Sequence, residues 1–180
     1  MKKLFQLIKV VLLLLITFQT NGQVIPSEWE GTWSGTVNIW SYNKKTDSFP
    51  MSLEITPKDS VWNFVIFYKK DPNKPDKRQY ELIIIDPSKY HLAIDEKNSI
   101  ILDSYFNDNC LYTIFGGMGS DLQTRICMNK ETLEYEITSS LSQPIRISGN
   151  EVIANDTIPE ISSYNLYHIM KAKLKKEKRE

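Results

Sequence analysis

Histidine, cysteine and glycine are all scarce: this chain of 180 residues has two, two and seven of them. The shortages close off classes of chemistry. His91 and His168 stand far apart in sequence, and neither sits in a His-Glu-x-x-His segment. Each reads as a solvated or hydrogen-bonded ring rather than as a ligand to a metal or a haem iron. Two cysteines, Cys110 and Cys127, do not by themselves make a metal site. There is no Gly-x-Ser-x-Gly elbow and no phosphate-binding loop. Gly116-Gly117-Met118-Gly119 is glycine-rich, but a hairpin there leaves no helix N-terminus to hold phosphate. The aspartates at Asp71, Asp76, Asp86, Asp95, Asp103, Asp108 and Asp121 match no calcium loop, and turn chemistry accounts for most of them. No metal and no cofactor is expected. No residue stands out as nucleophile or base, so an enzyme would have to assemble its site from scattered polar residues.

Charge of one sign is also missing. Lysine plus arginine balance aspartate plus glutamate at 22 each. Lys2, Lys3 and Lys9 fall in an N-terminal stretch that reads as a secretory signal over residues 1–22: a basic start, an apolar run from Val10 to Phe18, and the polar exit Gln19-Thr20-Asn21-Gly22. The run is short of the roughly 20 apolar residues that span a bilayer, so cleavage after Gly22 is expected rather than anchoring. What is left is mildly acidic, exported to the periplasm or the extracellular space, and without a stable membrane anchor. Residues 171–180 crowd Lys171, Lys173, Lys175, Lys176, Lys178 and Arg179 together, and they read as the basic end of a last strand plus a solvated tail. Nucleic acid is not an expected partner. Asn155-Asp156-Thr157 is a formal glycosylation sequon.

Helical periodicity is the remaining shortage. Between residues 23 and 170 the chain shows no repeat, linker or low-complexity run, and it reads as a single domain. Short runs alternate apolar and polar residues and are rich in Val, Ile, Thr and aromatics. They predict strands near 32–40, 49–57, 60–68, 78–86, 90–95, 99–105, 110–115, 122–128, 133–139, 144–148, 151–155 and 164–174. Turn residues separate them, as at Asp86-Pro87-Ser88-Lys89, Asn129-Lys130-Glu131-Thr132 and Ser148-Gly149-Asn150. Longer loops are expected at 41–48 and 69–77. Consecutive hairpins make an antiparallel sheet, and a sheet of about ten strands removes its edges by closing. The expected fold is an all-β, antiparallel up-and-down barrel, with a two-sheet β-sandwich as the alternative.

One hairpin can be registered from the sequence alone. Pairing Phe115 with Leu122 sets Thr113 against Thr124, Leu111 against Ile126 and Tyr112 against Arg125. Cys110 then falls opposite Cys127, and in an exported chain the two can form a disulfide or stand as free thiols.

The segment Glu30-Gly31-Thr32-Trp33 resembles the first-strand Gly-x-Trp of the calycin barrels, the lipocalins and fatty-acid-binding proteins. The resemblance implies that Gly31 and Trp33 close one end of a lipocalin-like barrel, with a basic residue of the last strand, Lys171 or Lys173, packed over the indole. It also implies an internal cavity for a small apolar or amphipathic molecule, bound without chemistry.

Candidate lining residues follow from the strands. Trp62, Phe64 and Tyr68 share one face of 61–68, with Ile66, and read as a cavity wall; Val61, Val65 and Phe67 make the opposite face apolar too. The same strand reads equally as a central one buried under a loop. Trp40 and Tyr42, at the far end of the first strand from Trp33, line an open mouth or pack on the 41–48 loop. Arg125 with Tyr112, and Arg78 with Tyr80, are basic–hydroxyl pairs that suit a carboxylate or make cross-strand surface pairs. The alternative to a ligand-binding barrel is an extracytoplasmic protein-interaction or structural module, with a protein partner on the two-faced strand and the rim aromatics.

Overall fold

The structure, a computed structural model, describes residues 24–178. The expected signal segment and its cleavage point lie outside the described residues. The strands are β1 (Gly31–Ser41), β2 (Lys44–Lys58), β3 (Val61–Tyr68), β4 (Asp76–Asp86), β5 (His91–Asp95), β6 (Ile101–Asn107), β7 (Cys110–Gly117), β8 (Ser120–Asn129), β9 (Thr132–Ser148), β10 (Glu151–Ile153), β11 (Asp156–Ile158) and β12 (Ile161–Lys176). Ten of them close into one antiparallel barrel in the order β1-β12-β9-β8-β7-β6-β5-β4-β3-β2, not into the two sheets of a sandwich. The β7–β8 register is the one read from the sequence, Phe115 on Leu122 through Cys110 on Cys127.

Strands run longer and turns tighter than expected. The loops foreseen at 41–48 and 116–121 shrink to Tyr42-Asn43 and Met118-Gly119. Asp108-Asn109 and Ala154-Asn155 close two further hairpins in the same way. All eight residues have positive φ. Such two-residue turns follow the right-handed twist of their strands, which is why they let the ladders continue to the tip. The segments 133–139 and 144–148 are one strand, β9. Pro144 is tolerated within it because it sits beyond the last β8 partner of β9, Leu141, where no sheet neighbour needs its missing N–H on that edge.

Inward positions alternate along each strand and fill the closed end of the barrel. Trp33, Leu53, Trp62, Leu82, Leu92, Leu111, Leu133 and Leu174 are buried there. A short 3-10 turn, Ser27–Trp29, adds a second plug that the sequence reading missed. The Trp29 ring meets Phe106 edge-on at 5.2 Å, and Trp33 Nε1 donates to the Trp29 carbonyl at 2.9 Å. The cation over the Trp33 ring is Lys176, at 5.1 Å, and its amine also donates to the Glu28 carbonyl at 3.1 Å. This corrects the expectation for Lys171 and Lys173. Those two pair with Asn38 and Thr36 on the outer face, and Lys171 meets Glu136 at 3.3 Å.

Two glycines shape the seam between β1 and β12. Gly31 turns the chain out of the 3-10 segment at φ 129°, a conformation other residues rarely hold. Gly35 lies so close to β12 that a Cβ there would stand 2.5 Å from the Lys173 carbonyl oxygen. At the other end, the β1 pairing ends at Trp40 on Ile169 and the β8 pairing at Leu141. Residues 142–148 and 161–167 continue beyond the barrel as a two-stranded ribbon, capped by the β10–β11 hairpin. Register shifts between Ser163 and His168 bend this ribbon where it leaves the wall.

Cys110 and Cys127 are joined by a disulfide across β7 and β8, with 17 residues of sequence separation. Replacing both with alanine is expected to lower the unfolding free energy by about 3 kcal/mol, the chain-entropy value for a loop of this length, read from urea unfolding curves. Gly35→Ala should cost about 1–3 kcal/mol in the same assay, because backbone must move to make room; an unchanged urea midpoint would contradict the close seam.

Candidate functional site

The half of the barrel nearer the open end is not completely filled. A cavity of about 80 Å3 lies inside it, walled by Phe64, Ile66, Ile94, Leu102, Ile126 and Ile137. Besides Glu96 in the turn after β5, the polar groups in this lining come from five strands. Tyr68 ends β3, Arg78 and Tyr80 open β4, Thr113 lies in β7, Thr124 in β8 and Tyr135 in β9. Alternation puts them all on the inward face: Phe64 pairs with Tyr80 and Ile66 with Arg78, and Thr113 pairs with Thr124.

Thr113 Oγ1 is taken up by the buried Ser104 Oγ at 2.7 Å, and Tyr68 Oη meets Tyr135 Oη in a second hydroxyl pair, also at 2.7 Å. Two hydroxyls carry two protons and their shared bond uses one. The second has no acceptor among the described residues. Above them the Arg78 guanidinium lies 5.3 Å from the centre of the Tyr68 ring. Arg78 donates through Nη1 to Tyr80 Oη at 3.5 Å, and through Nε and Nη2 to Asp76 Oδ2 at 3.1 and 3.0 Å. Partial burial works against the arginine's charge, but the bonds to Asp76 and Tyr80 hold its pKa above the ordinary value. Burial raises the pKa of Tyr68 and Tyr80. Burial and the neighbouring Tyr68 push that of Tyr135 further up. The mouth therefore holds the Arg78 cation with its partner Asp76, the carboxylate of Glu96 beside Tyr80, and phenols that stay neutral at pH 7, all over an apolar chamber.

The residues singled out from sequence divide between three places. Phe64 and Tyr68 line the chamber, with Arg78 and Tyr80 beside them. Trp62 shares their inward face but lies deeper, in the core towards the closed end. Trp40 and Tyr42 do not line the lumen. They border a groove of about 630 Å3 on the outside of the open end, with Asn43, Leu166, Tyr167, His168, Ile169 and Lys171. A bulge between Ile39 and Trp40 shifts the register at this point. Tyr112 and Arg125 also point outwards, as do their strand-mates Cys110 and Cys127. Arg125 stands opposite Tyr112 on β7 and faces Glu136 on β9 at 3.7 Å. His91 bonds Asp103 at 2.7 Å and stacks on Tyr105, while His168 packs on Tyr167 at the base of the ribbon. Tyr135 was missed from sequence. Its signal was the alternation Leu133, Tyr135, Ile137, which places a phenol on a face otherwise given to aliphatic side chains.

No protein family's sequence pattern matches this chain, and no curated protein matches it in sequence. The solved structures do include a similar fold. The S-type phycobiliprotein lyase CPES from Guillardia theta superposes with a TM-score of 0.55 over 85% of this chain and 90% of that one, at 7% sequence identity. The class defined here is thus a closed ten-stranded antiparallel barrel with one plugged end. At that identity the likeness is one of fold.

The phenol pair generates a pH prediction. Folded Tyr135 keeps its proton well above the ordinary tyrosine value of 10.0, whereas the unfolded chain releases it near that value. Unfolding therefore releases protons in alkali, and stability falls as the pH rises past about 10 while staying insensitive to this group below it. Tyr135→Phe should make that alkaline loss shallower by up to about 1.4 kcal/mol per pH unit, measured as urea midpoints across the alkaline range.

Proposed function

We propose that this protein is an exported barrel that binds a small amphipathic molecule at its open end and carries or sequesters it without chemistry. The observation that carries the reading is the set of hydrogen-bond donors over the apolar chamber: the Tyr68–Tyr135 pair with one proton unclaimed, and Arg78 at the mouth. A hydrogen-bond acceptor, best a carboxylate, satisfies both, since bonds between charged partners are the stronger kind. An apolar remainder suits the aliphatic walls. The chamber of about 80 Å3 is well below the roughly 300–1,000 Å3 that encloses a drug-sized ligand. The ligand is accordingly small, or it enters by its end while the half-exposed Arg78 and Tyr80 swing aside. The signal-like N-terminus and the disulfide support an oxidising compartment outside the cytoplasm. A bilin-sized pigment, such as the neighbouring fold's name brings to mind, would need a larger opening than this chamber offers.

The test uses octanoate as probe. Titration into the purified protein, followed by amide and tyrosine-ring NMR shifts, is expected to perturb the chamber residues. Arg78→Gln should weaken binding by about tenfold or more, the value of one charge-assisted hydrogen bond. Shifts confined to the outer groove, or an Arg78→Gln affinity equal to that of the parent, would overturn the proposal.

A further inference from the structure

Large apolar side chains collect on the ribbon beyond the barrel. Ile145, Ile147, Val152, Ile153, Ile161 and Tyr164 are each half exposed or more, Val152 at 70%. They lie on both faces of the ribbon, since Ile147 pairs with Ser162 and Ile161 with Ser148, while Val152 and Ile153 are consecutive on one strand; single exposed apolar residues are ordinary, but so many on one projecting arm mark a contact surface. The ribbon's two edges are not alike. On β9 the free edge carries Pro144, which has no N–H to offer. On β12 the free edge over 161–167 has no proline, and its neighbour β1 stops short of it at Ser41. The groove bordered by Trp40, Tyr42 and Tyr167 occupies that slot, where a strand continuing the line of β1 would run beside β12.

We infer that the occupant of this slot is the ribbon of a second copy of the same chain, in a two-fold dimer with exchanged arms. A two-fold axis requires one surface to carry both the projecting and the receiving element. This surface does: an apolar ribbon, and an apolar groove at its own base. With the two β12 edges antiparallel, each tip reaches the other copy's groove. The seven residues of each edge span about 23 Å at strand rise. Charges match in the same arrangement. The tip carries Glu151, Asp156 and Glu160, while Lys44, Lys45 and Lys171 flank the groove or its turn.

Sedimentation velocity on the purified protein, from low to high micromolar concentration, tests this. A dimer is expected. Val152→Asp with Ile153→Asp at the tip, and separately Trp40→Asp in the groove, should each shift it towards monomer. The tip pair should raise the dissociation constant by roughly 30-fold, as for two apolar anchors lost. All these positions are exposed or partly so, and unchanged circular dichroism would show that the variants fold. A parent protein that stays monomeric throughout overturns the proposal, as does a dimer indifferent to both sets of changes. A monomer that floats with phosphatidylglycerol vesicles overturns it in favour of a lipid surface.

Discussion

The pairing of β1 with β12 is the constraint on which the barrel rests. Most other neighbours in the wall are joined by hairpins and would pair in an open sheet as well. Closure alone makes an inside. At the seam Gly35 lets the two backbones come together without a side chain between them. Trp33 stands beside it, bonded to Trp29 and covered by Lys176, so one cluster both locks the seam and stoppers the end of the tube. Burying two tryptophans at one end also fixes where a cavity can lie. The closed half is packed, and the chamber lies towards the other mouth.

Much of this architecture was legible in the sequence because a half-buried strand advertises itself by period-two alternation. The β7–β8 register could be worked out residue by residue, since a single pairing fixes every other partner in a regular hairpin. Less could be read where alternation carries no sense of direction. It says that Trp40 and Ile39 face opposite sides, but not that a bulge follows or which side is the lumen. Tyr112 shows the limit from the other side. It has the parity of Cys110, so placing the cysteines outside places Tyr112 and Arg125 outside with them, but nothing local sets which face is inner.

The ribbon was invisible for a related reason. A strand that stays in the wall and one that leaves it share the same local pattern, and only the partners tell them apart. Leu141 has a β8 neighbour and Ile145 does not. The lysine over Trp33 was misplaced because the choice among Lys171, Lys173 and Lys176 depends on how far β12 runs past the start of β1. That is a long-range fact absent from either strand alone. The Tyr68–Tyr135 contact likewise joins residues 67 positions apart, and it had to wait for the barrel to bring β3 and β9 across from each other.

The shortness of the turns has a consequence for time. At the open end β1 passes to β2, and β7 to β8, through two residues each. Turns this tight have no slack to fold over the opening as a lid. The mouth is narrowed by side chains instead, Arg78 and Tyr80 foremost. Exposed side chains change rotamer in picoseconds to nanoseconds, whereas loops move in nanoseconds to microseconds. Along these two stretches of the rim, motion is thus a matter of fast side-chain hops, and whatever slower backbone movement this end of the barrel has belongs to its longer connections, residues 69–75 and 96–100.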